Sequence, residues 1–313
     1  MIITQKKRAI ALGFFDGVHL GHAALMKKVR DIGCDKKLIP SVMVFDAHPA
    51  KIAKGSSIPL INSQEDKTWL IRRLFGIDDT VFLRFDKATS RIAWDMFIEY
   101  LADELGARHL VAGFNFCFGR DREGNSELLS RKCAQLGIGC DIISAVNYDG
   151  VRVSSTTIRE LIASGDIKSA NAMLGHPHIL SDMVRYGYRL GRKLGTPTIN
   201  MRFGEGALVP KHGVYATKVY LEDVDADKIT TNECGLSALG VTNIGERPTF
   251  GNSDEITAET HILNFRGNLY GHRVRLEFHE YLRPEIKFGS VEELKAQIQK
   301  DCEAAEQLSG CFC

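Results

Sequence analysis

The feature that most constrains the fold is an alternation of short apolar runs with longer amphipathic runs in the first half of the chain. The apolar runs have the length and residue types of β-strands, and the runs between them have helical periodicity. Strands that alternate with helices pair in parallel through right-handed crossovers. The predicted strands are RAIALGF, LIPSVMVF, TVFLRF, HLVAGF and DIISAV, and the predicted helices are HAALMKKVRDIG, SQEDKTWLIRRLFG, AWDMFIEYLADELG and SELLSRKCAQLG. This half predicts a doubly wound parallel α/β sheet, which binds ligands beyond the carboxyl ends of its strands.

After about residue 180 the pattern changes to successive strands separated by turns. These are MVRYGYRLG, HGVYATKVYLE, GLSALGVTNIG, ITAETHILNF and HRVRLEFHEYL, followed by a helix from about Ser290 to Glu306. Short strands at this spacing favour a small antiparallel β-barrel or sandwich, here with a terminal helix, and we predict the barrel. Two domains also suit a chain of 313 residues, because single cores stop growing near about 250 to 300 residues. We predict domains at 1–176 and 177–313, with the boundary in GHPHIL, residues 175–180.

Charge, cysteine usage and hydropathy narrow the function classes. The chain has 40 Lys and Arg against 39 Asp and Glu, so it has no long-range field for a polyanion, which disfavours a nucleic-acid partner. Its 8 cysteines form no CxxC pair, which is typical of reduced thiols in the cytosol. No apolar run reaches the roughly 18 residues of a membrane span, and the N-terminus does not resemble a secretory signal. We therefore expect a cytoplasmic protein without a membrane partner.

Two histidines follow the first predicted strand in GFFDGVHLGH, residues 13–22. His19 and His22 are three residues apart, so they share a face of the first turn of the next helix. A helix N-terminus attracts phosphate, and imidazoles there can donate hydrogen bonds to phosphoryl oxygens. A bare HxGH is more often a capping or solvated pair, but the preceding strand and glycine turn favour a phosphate site. The expected phosphate-binding residues of this loop are Gly13, Phe14, Asp16 and Gly17.

A second group of polar residues is expected at the same edge of the sheet. SSTTIR, residues 154–159, has hydroxyl residues suited to cap a helix, with Arg159 one turn later. A capped helix with a surface arginine is the plain alternative, but the segment follows the fifth predicted strand. Asn115, with Arg120 or Asp121, lies in the loop after the fourth strand and should reach that edge as well.

A third motif, GRKLGTPTIN, covers residues 191–200. Its glycines and basic residues could contact phosphates, and Thr198 and Asn200, two apart on a strand, project to one face. Hard oxygen ligands of this kind suit Mg²⁺ that is shared with nucleotide phosphates. A loop that merely enters a strand is the alternative. The expected phosphate contacts are Gly191, Arg192, Lys193 and Gly195.

These motifs together resemble a known family. GFFDGVHLGH resembles the HxGH nucleotidyltransferase superfamily. With VFDAHP, GFNFCFGRDREG and SSTTIRELIASGDIKSANAMLG in order, the chain resembles the prokaryotic bifunctional riboflavin kinase and FAD synthetase over essentially its whole length. The resemblance implies an FMN adenylyltransferase domain at 1–176 and a riboflavin kinase domain at 177–313. It implies two reactions: riboflavin and ATP give FMN, and FMN and a second ATP give FAD and pyrophosphate, with Mg²⁺ as the metal.

The resemblance also implies roles for particular residues. Ser155, Thr156 and Arg159 would hold ATP phosphates, while His19, His22 and Arg159 would stabilise the charge that grows at the α-phosphate. The glutamate of ETHILNF, residues 259–265, would accept the proton of the riboflavin 5′-hydroxyl, which selects Glu259 as general base. His261, on the same strand face, is the weaker alternative for that role.

Two departures from the family pattern leave alternatives open. Ile199 stands where alanine is usual in the PTIN signature, and Ala47 stands where proline is common before His48. The alternatives are an FMN adenylyltransferase with weak or lost kinase activity, and a non-catalytic flavin or nucleotide sensor. The intact histidine pair, SSTTIR and Glu259 argue against a sensor. The sequence does not decide between a monomer and a homo-oligomer.

Overall fold

The computed structural model describes residues 6–45, 58–186, 196–222, 237–247, 255–308 and 310. The chain divides into two compact units, Met1–Ser155 and Thr156–Cys313. The first unit contains a parallel sheet with the strand order β3-β2-β1-β4-β5. Its strands are β1 (Arg8–Leu12), β2 (Ile39–Phe45), β3 (Asp79–Leu83), β4 (Ala107–Gly113) and β5 (Gly139–Ile143). The prediction of a doubly wound parallel sheet is confirmed, and the strand order reverses between β1 and β4, where such sheets bind ligands.

Helices and caps follow the sequence pattern in this unit. The helices are α1 (Leu20–Lys36), α2 (Gln64–Phe75), α3 (Trp94–Asp103) and α4 (Ser126–Leu136), and a hairpin follows β5 with strands β6 (Asn147–Tyr148) and β7 (Val151–Arg152). Ser63 caps α2, because its side chain accepts a hydrogen bond from the backbone N–H of Asp66, and Asn125 caps α4 in the same way. Gly76 and Gly137 end these two helices in the left-handed conformation.

The second unit contains an antiparallel sheet with the strand order β8-β13-β10-β11-β12-β9. Beyond β8, the backbone N–H of Arg185 donates to the carbonyl of Asn200 on β9 at 2.9 Å, which joins the two edge strands and confirms the predicted barrel architecture. The strands are β8 (His178–Met183), β9 (Thr198–Arg202), β10 (Gly213–Leu221), β11 (Ser237–Arg247), β12 (Glu255–Ile262) and β13 (Arg273–Arg283).

Three helices accompany this sheet. Helix α5 (Ser155–Ser164) begins at the last residue of the first unit, α6 (Ile167–Leu174) follows it, and α7 (Val291–Leu308) is the predicted terminal helix. Ala305 of α7 packs in an apolar cluster with Val214 and Val241. The guanidinium of Arg283 donates to both carboxylate oxygens of Asp301 at 2.9 and 2.7 Å, a bidentate pair that fastens α7 to β13.

One strand prediction was wrong in position. We predicted the first strand of the barrel in MVRYGYRLG, whereas the strand is β8 and occupies much of the segment expected to be a boundary loop. Helix α6 explains the shift, because Asn171 accepts from the backbone N–H of His178 and donates to the carbonyl of Phe278, both at 2.8 Å. This non-local bridge selects His178 as the start of the strand.

Two chain-wide expectations concern the membrane and the thiols. Within the described residues, no helix has the length and apolar character needed to cross a membrane. The cysteines that the structure describes are free thiols, as predicted; they are Cys34, Cys117, Cys133, Cys140 and Cys302.

Candidate active sites

The loop after β1 and the loop after β4 both lie at the carboxyl edge of the parallel sheet, at the point where the strand order reverses. The first of them, residues 13–19, carries the histidine motif and leads into α1. The second carries Asn115 and Asp121, which are both exposed. Asp121 has a φ of 52°, a left-handed conformation that the loop imposes. The predicted clustering of these two loops follows from the observed strand order.

The turn that precedes His19 has an unusual backbone. Gly17 has a φ of 83°, as expected for glycine, but Phe15 and Val18 have φ values of 55° and 45°. A β-branched residue such as Val18 rarely adopts this conformation, and it does so where surrounding structure holds it. Both side chains are buried. The turn is therefore held by the core beneath it.

Asp16 ties this turn to two other segments. Its carboxylate accepts a hydrogen bond from the backbone N–H of Ile61 at 2.9 Å, and its carbonyl accepts one from the Ser155 hydroxyl at 2.9 Å. Asp16 is 2% exposed. Ser155, the first residue of α5, thus contacts the histidine loop. This contact supports the prediction that the start of SSTTIR lies near that loop.

His19 is the N-cap of α1. Its Nδ1 accepts a hydrogen bond from the backbone N–H of His22 at 3.3 Å, so the proton of the neutral ring is on Nε2. The two imidazole rings are stacked, with centroids 3.6 Å apart and planes 13° from parallel. A Cβ on Gly21 would lie 3.0 Å from the His19 ring. The glycine of HxGH is therefore needed for the ring to lie across the helix N-terminus.

His22 lies beneath His19 and against Phe15, whose ring it meets edge-on at 5.2 Å. Its Nδ1 is buried, and no hydrogen-bond partner for it lies within the part of the chain that the structure describes. Burial lowers the pKa of His22 well below its ordinary value, and the neighbouring His19 and Lys67 lower that pKa further. His22 is thus neutral at physiological pH, with a ring nitrogen left for a ligand.

Lys67 belongs to this site and was missed by the sequence analysis. It lies in α2 and is 1% exposed, and its Nζ donates to the carbonyl of Phe14 at 2.9 Å. Lys67 shares the buried stripe of α2 with Leu70 and Ile71. The sequence signal for its burial is its position in α2, because Leu70 and Ile71, three and four residues later, are apolar and share its helix face.

Two further predicted residues of the first site lie on α5. Thr156 is exposed and Arg159 is half-buried, and both belong to the second compact unit. Arg159 follows Ser155 by four residues and so lies on the same face of the helix. His48 and Ala47 of VFDAHP lie outside the described residues.

In the barrel, strand register assembles the second candidate site. Asn200 on β9 pairs directly with Glu259 on β12, which in turn pairs with Asn243 on β11. Residues directly opposite in antiparallel strands have side chains on the same face. Asn200 is 6% exposed, and the Asn243 amide donates to Glu285 at 3.0 Å. The two predicted residues Asn200 and Glu259 are therefore neighbours.

Thr198 and His261 form the next pair of this row. One ring nitrogen of His261, Nδ1, lies 3.0 Å from the carbonyl of Pro197, a contact that orients the imidazole toward the residue that precedes β9. No group of three or more His, Cys, Asp or Glu side chains suited to a metal occurs within the described ranges. The oxygen-bearing side chains of this row are Thr198 and Asn200, which the sequence predicts as metal ligands, and Glu259 beside Asn200.

A cavity of about 320 Å³ opens next to Thr198. The segment after β12 that lines this cavity could not be predicted from the sequence, because no motif marks it. The lining residues are Val184, Pro197, Thr198, Ile199, Ile262, Phe265, Arg266, Gly267, Asn268, Leu269 and Tyr270. The predicted phosphate contacts Gly191, Arg192, Lys193 and Gly195 fall outside the described residues.

Ile199 lies on the strand face opposite Asn200 and Glu259, although it also borders the cavity next to Thr198. It is 9% exposed and pairs with Thr260. The Thr260 hydroxyl is hydrogen-bonded to that of Thr242 at 2.9 Å, and Thr242 to Thr217 at 2.8 Å. The isoleucine thus packs beside a ladder of buried threonines on the opposite face of the strand.

Comparisons with known proteins agree on one family. The family model for FAD synthetase matches residues 2–157, and the family model for riboflavin kinase matches residues 174–309. Proteins named bifunctional riboflavin kinase/FMN adenylyltransferase are similar over nearly the whole length. The one from Listeria monocytogenes is 34% identical, covering 95% of this chain and 91% of its own. The one from Escherichia coli K12 is 33% identical, covering 98% of this chain and 94% of its own.

A solved structure shares the fold. It is a protein from Streptococcus pneumoniae named a macrolide-efflux protein, with a TM-score of 0.83 and 25% identity, and the match covers 97% of this chain and 95% of that one. This likeness supports the architecture of both units.

Proposed function

Because the chain belongs to the family of bifunctional riboflavin kinase/FMN adenylyltransferases, we propose a division of its two reactions between the two sites described above. The enzyme phosphorylates riboflavin to FMN and adenylylates FMN to FAD. The histidine site of the parallel-sheet unit carries out adenylyl transfer, and the row on the barrel carries out phosphorylation. The observation that carries this proposal is the stacked His19–His22 pair at a helix N-terminus, at the reversal point of a parallel sheet.

In adenylyl transfer, a phosphate oxygen of FMN attacks the α-phosphorus of ATP, and the bond from that phosphorus to the pyrophosphate oxygen breaks. The nucleophile is already an anion, so no general base and no covalent enzyme intermediate are needed. Negative charge grows on the α-phosphoryl oxygens and on the leaving pyrophosphate. Donors fixed in advance at those positions stabilise that charge without reorganisation.

His19 and His22 are the donors we assign to this charge. Nδ1 of His19 accepts the hydrogen bond of the helix cap, so the ring proton is on Nε2, which we assign as the donor. The buried Nδ1 of His22 supports a ligand contact there, since buried polar atoms are nearly always hydrogen-bonded. The N–H groups at the start of α1 add to the same positive end.

The remaining ATP contacts come from the segments around this loop. Gly13, Phe14, Asp16 and Gly17 shape the loop, and Ser155 fixes the start of α5 against it. We assign Thr156 and Arg159 to the ATP phosphates, since both follow that contact within one helical turn. Asn115 and Asp121, in the loop after β4, are assigned to ATP as well because they lie at the carboxyl edge of the sheet.

In phosphorylation, the 5′-hydroxyl of riboflavin attacks the γ-phosphorus of ATP while Glu259 accepts the hydroxyl proton. A bond forms between that oxygen and phosphorus, the bond to the β-phosphate oxygen breaks, and ADP leaves. Positioning and charge neutralisation dominate such transfers. The cavity of about 320 Å³ beside Thr198 is suited to receive the nucleotide, and Gly191, Arg192, Lys193 and Gly195 are assigned to its phosphates.

Thr198 and Asn200 are the residues that would hold Mg²⁺. Their oxygen donors share one strand face beside a carboxylate, which suits a hard cation that keeps waters and nucleotide phosphates as its other ligands. When bound, the ion neutralises charge on the phosphates. Asn200 and Glu259, paired across β9 and β12, would orient the riboflavin hydroxyl and take its proton.

We place the functional boundary between residues 176 and 177. The start of the riboflavin kinase match at residue 174 supports it. The compact units divide earlier, after Ser155, so helices α5 and α6 lie between that division and the proposed functional boundary.

The test is to incubate the full chain with ATP, Mg²⁺ and either riboflavin or FMN, and to separate the flavins by chromatography. We expect FMN and then FAD from riboflavin, and FAD from FMN. Formation of FAD only from added FMN would select the alternative with a weak or lost kinase. No conversion of either flavin would contradict the proposal and favour a sensor.

A further inference from the structure

Lys67 is a buried charge that the two reactions as described do not use. It lies on the apolar stripe of α2 and is 1% exposed. Lysine is almost never fully buried unless it is paired, because removing an ammonium from water costs free energy. Its contacts therefore indicate what the charge is kept for.

The contacts of Lys67 belong to the histidine loop. Its Nζ donates to the Phe14 carbonyl at 2.9 Å and lies 4.1 Å from the centroid of the Phe14 ring. The carboxylate of Asp16 attracts the ammonium. Two residues after β1 ends, the loop is thus bound to α2 by a charge-assisted hydrogen bond.

Lys67 acts together with a second attachment from the segment before α2. The backbone N–H of Ile61 donates to Asp16 at 2.9 Å. Between the two attachment points, Phe14 and Asp16, lies Phe15 with its φ of 55°, and Val18 follows with 45°. Such conformations persist only where neighbouring structure holds them. Lys67 is one of the groups that hold this turn.

The charge of Lys67 also acts on the histidines. Burial, His19 and Lys67 together lower the pKa of His22. Burial lowers the pKa of Lys67 itself to about 8, against the opposing effect of Asp16. The charged and titratable groups that interact with Lys67 are thus Asp16 and His22.

We infer that Lys67 is a positioning residue for adenylyl transfer, which holds the turn that presents His19 and His22 through the Phe14 carbonyl and keeps a positive charge behind the pair. This inference rests on the proposed function of the histidine site. A residue with only a structural role would be replaced well by an apolar side chain of similar volume. Lys67→Met therefore distinguishes a purely structural role from a positioning role.

The experiment compares Lys67→Met, Lys67→Arg and the control Lys132→Met in the full chain. Lys132 lies in the same unit, is 14% exposed and pairs with Glu99. Adenylylation of FMN is followed from pH 5.5 to 9.5 as kcat and as KM for ATP, and riboflavin phosphorylation is measured on each sample. We expect Lys67→Met to lower the kcat of adenylylation about 100-fold, as a small misplacement of catalytic groups does. Phosphorylation and the control should change less than about 3-fold.

The pH profiles carry the second readout. Wild-type adenylylation should decline above about pH 8, where Lys67 loses its proton. Lys67→Arg should keep activity and lose that decline, because arginine stays charged.

Two results would overturn the inference while the wild type makes FAD. The first is Lys67→Met with kcat within 3-fold of the wild type. The second, which decides the matter if Lys67→Met does not fold, is a Lys67→Arg profile with the same decline above pH 8. A wild type that makes no FAD from FMN would instead contradict the proposed function.

Discussion

In the parallel-sheet unit, the histidines are presented by a turn in which Phe15 and Val18 have positive φ. In the barrel, Thr198, Asn200 and Glu259 are set by alternation along paired strands of ordinary geometry. In the first arrangement, each residue with an unfavourable positive φ costs about 1 to 3 kcal/mol of conformational energy. The turn therefore depends on the hydrogen bonds of Asp16 and on its other contacts with the fold. The second depends on a ladder of backbone hydrogen bonds.

This difference predicts how each site responds to change. A small substitution near the turn should disturb the histidines even when no reacting group is removed. A substitution on the far face of a barrel strand should leave the kinase site in place, because successive side chains point to opposite faces. The predictions below test this contrast, in order of decreasing effect.

The largest effect is expected for Glu259→Gln. The amide cannot accept the riboflavin proton, so phosphorylation should fall on the order of 1,000-fold, within the range for general acid–base catalysis. Adenylylation of added FMN should be unchanged. The matched control is Glu205→Gln, at an exposed carboxylate of the same unit. For each variant, phosphorylation is measured with riboflavin and adenylylation with FMN. Phosphorylation reduced less than 10-fold would exclude Glu259 as the base.

His19→Asn tests the donor role apart from the cap. Asparagine caps helices as well as any residue, so α1 should remain stable while the Nε2 donor is lost. Adenylylation should fall about 100- to 1,000-fold, with phosphorylation intact. His19→Ala should lose the same activity and, in addition, about 1 kcal/mol of stability. Full adenylylation by a folded His19→Asn would show that only the cap matters.

Gly21→Ala should separate stability from activity. Alanine in place of a helical glycine favours the helix by about 0.5 to 1 kcal/mol. Its Cβ, however, would lie 3.0 Å from the His19 ring, which must move by a few tenths of an ångström. We expect about a 10-fold loss of adenylylation without a fall in Tm. Unchanged adenylylation would contradict the close fit of the stacked pair.

Ile199→Ala should have the smallest effect on activity. The side chain is buried beside Thr260 and also borders the cavity next to Thr198, but it lies outside the row of predicted catalytic residues. The empty space left by its truncation should lower the free energy of unfolding of the barrel by about 2 to 4 kcal/mol. Phosphorylation of riboflavin below the unfolding transition should stay within about 3-fold. Loss of kinase activity during a urea titration measures the stability of the barrel, and the rate below the unfolding transition measures phosphorylation. A rise above 10-fold would mean that the isoleucine limits the kinase.

Much of the fold could be predicted because it follows from local pattern. The alternation along the first half determines the parallel sheet, and the spacing of Thr198 and Asn200 determines their common face. The pairing of Asn200 with Glu259 needed the register of two strands distant in the sequence. The start of β8 depends on Asn171 bridging to Phe278, which no local pattern indicates.

The histidine site shows the same division. The helix N-terminus and the edge of the sheet could be predicted from the strand before GFFDGVHLGH. The stacking of His19 on His22 and the role of Gly21 are consequences of side-chain packing, which the motif does not specify. Lys67 was missed because a charged residue in an amphipathic helix is usually solvated, and its place on the apolar stripe of the helix is a weak signal that the fold makes clear.

The central claim, that two independent sites in one chain act in succession, is tested most directly by mixing His19→Asn with Glu259→Gln. With riboflavin, ATP and Mg²⁺, the first variant alone should stop at FMN, and the second alone should make no flavin nucleotide. The mixture should form FAD after a lag, because FMN released by one molecule is adenylylated by the other. If the mixture forms no FAD although each variant keeps its remaining reaction, the two sites are not independent.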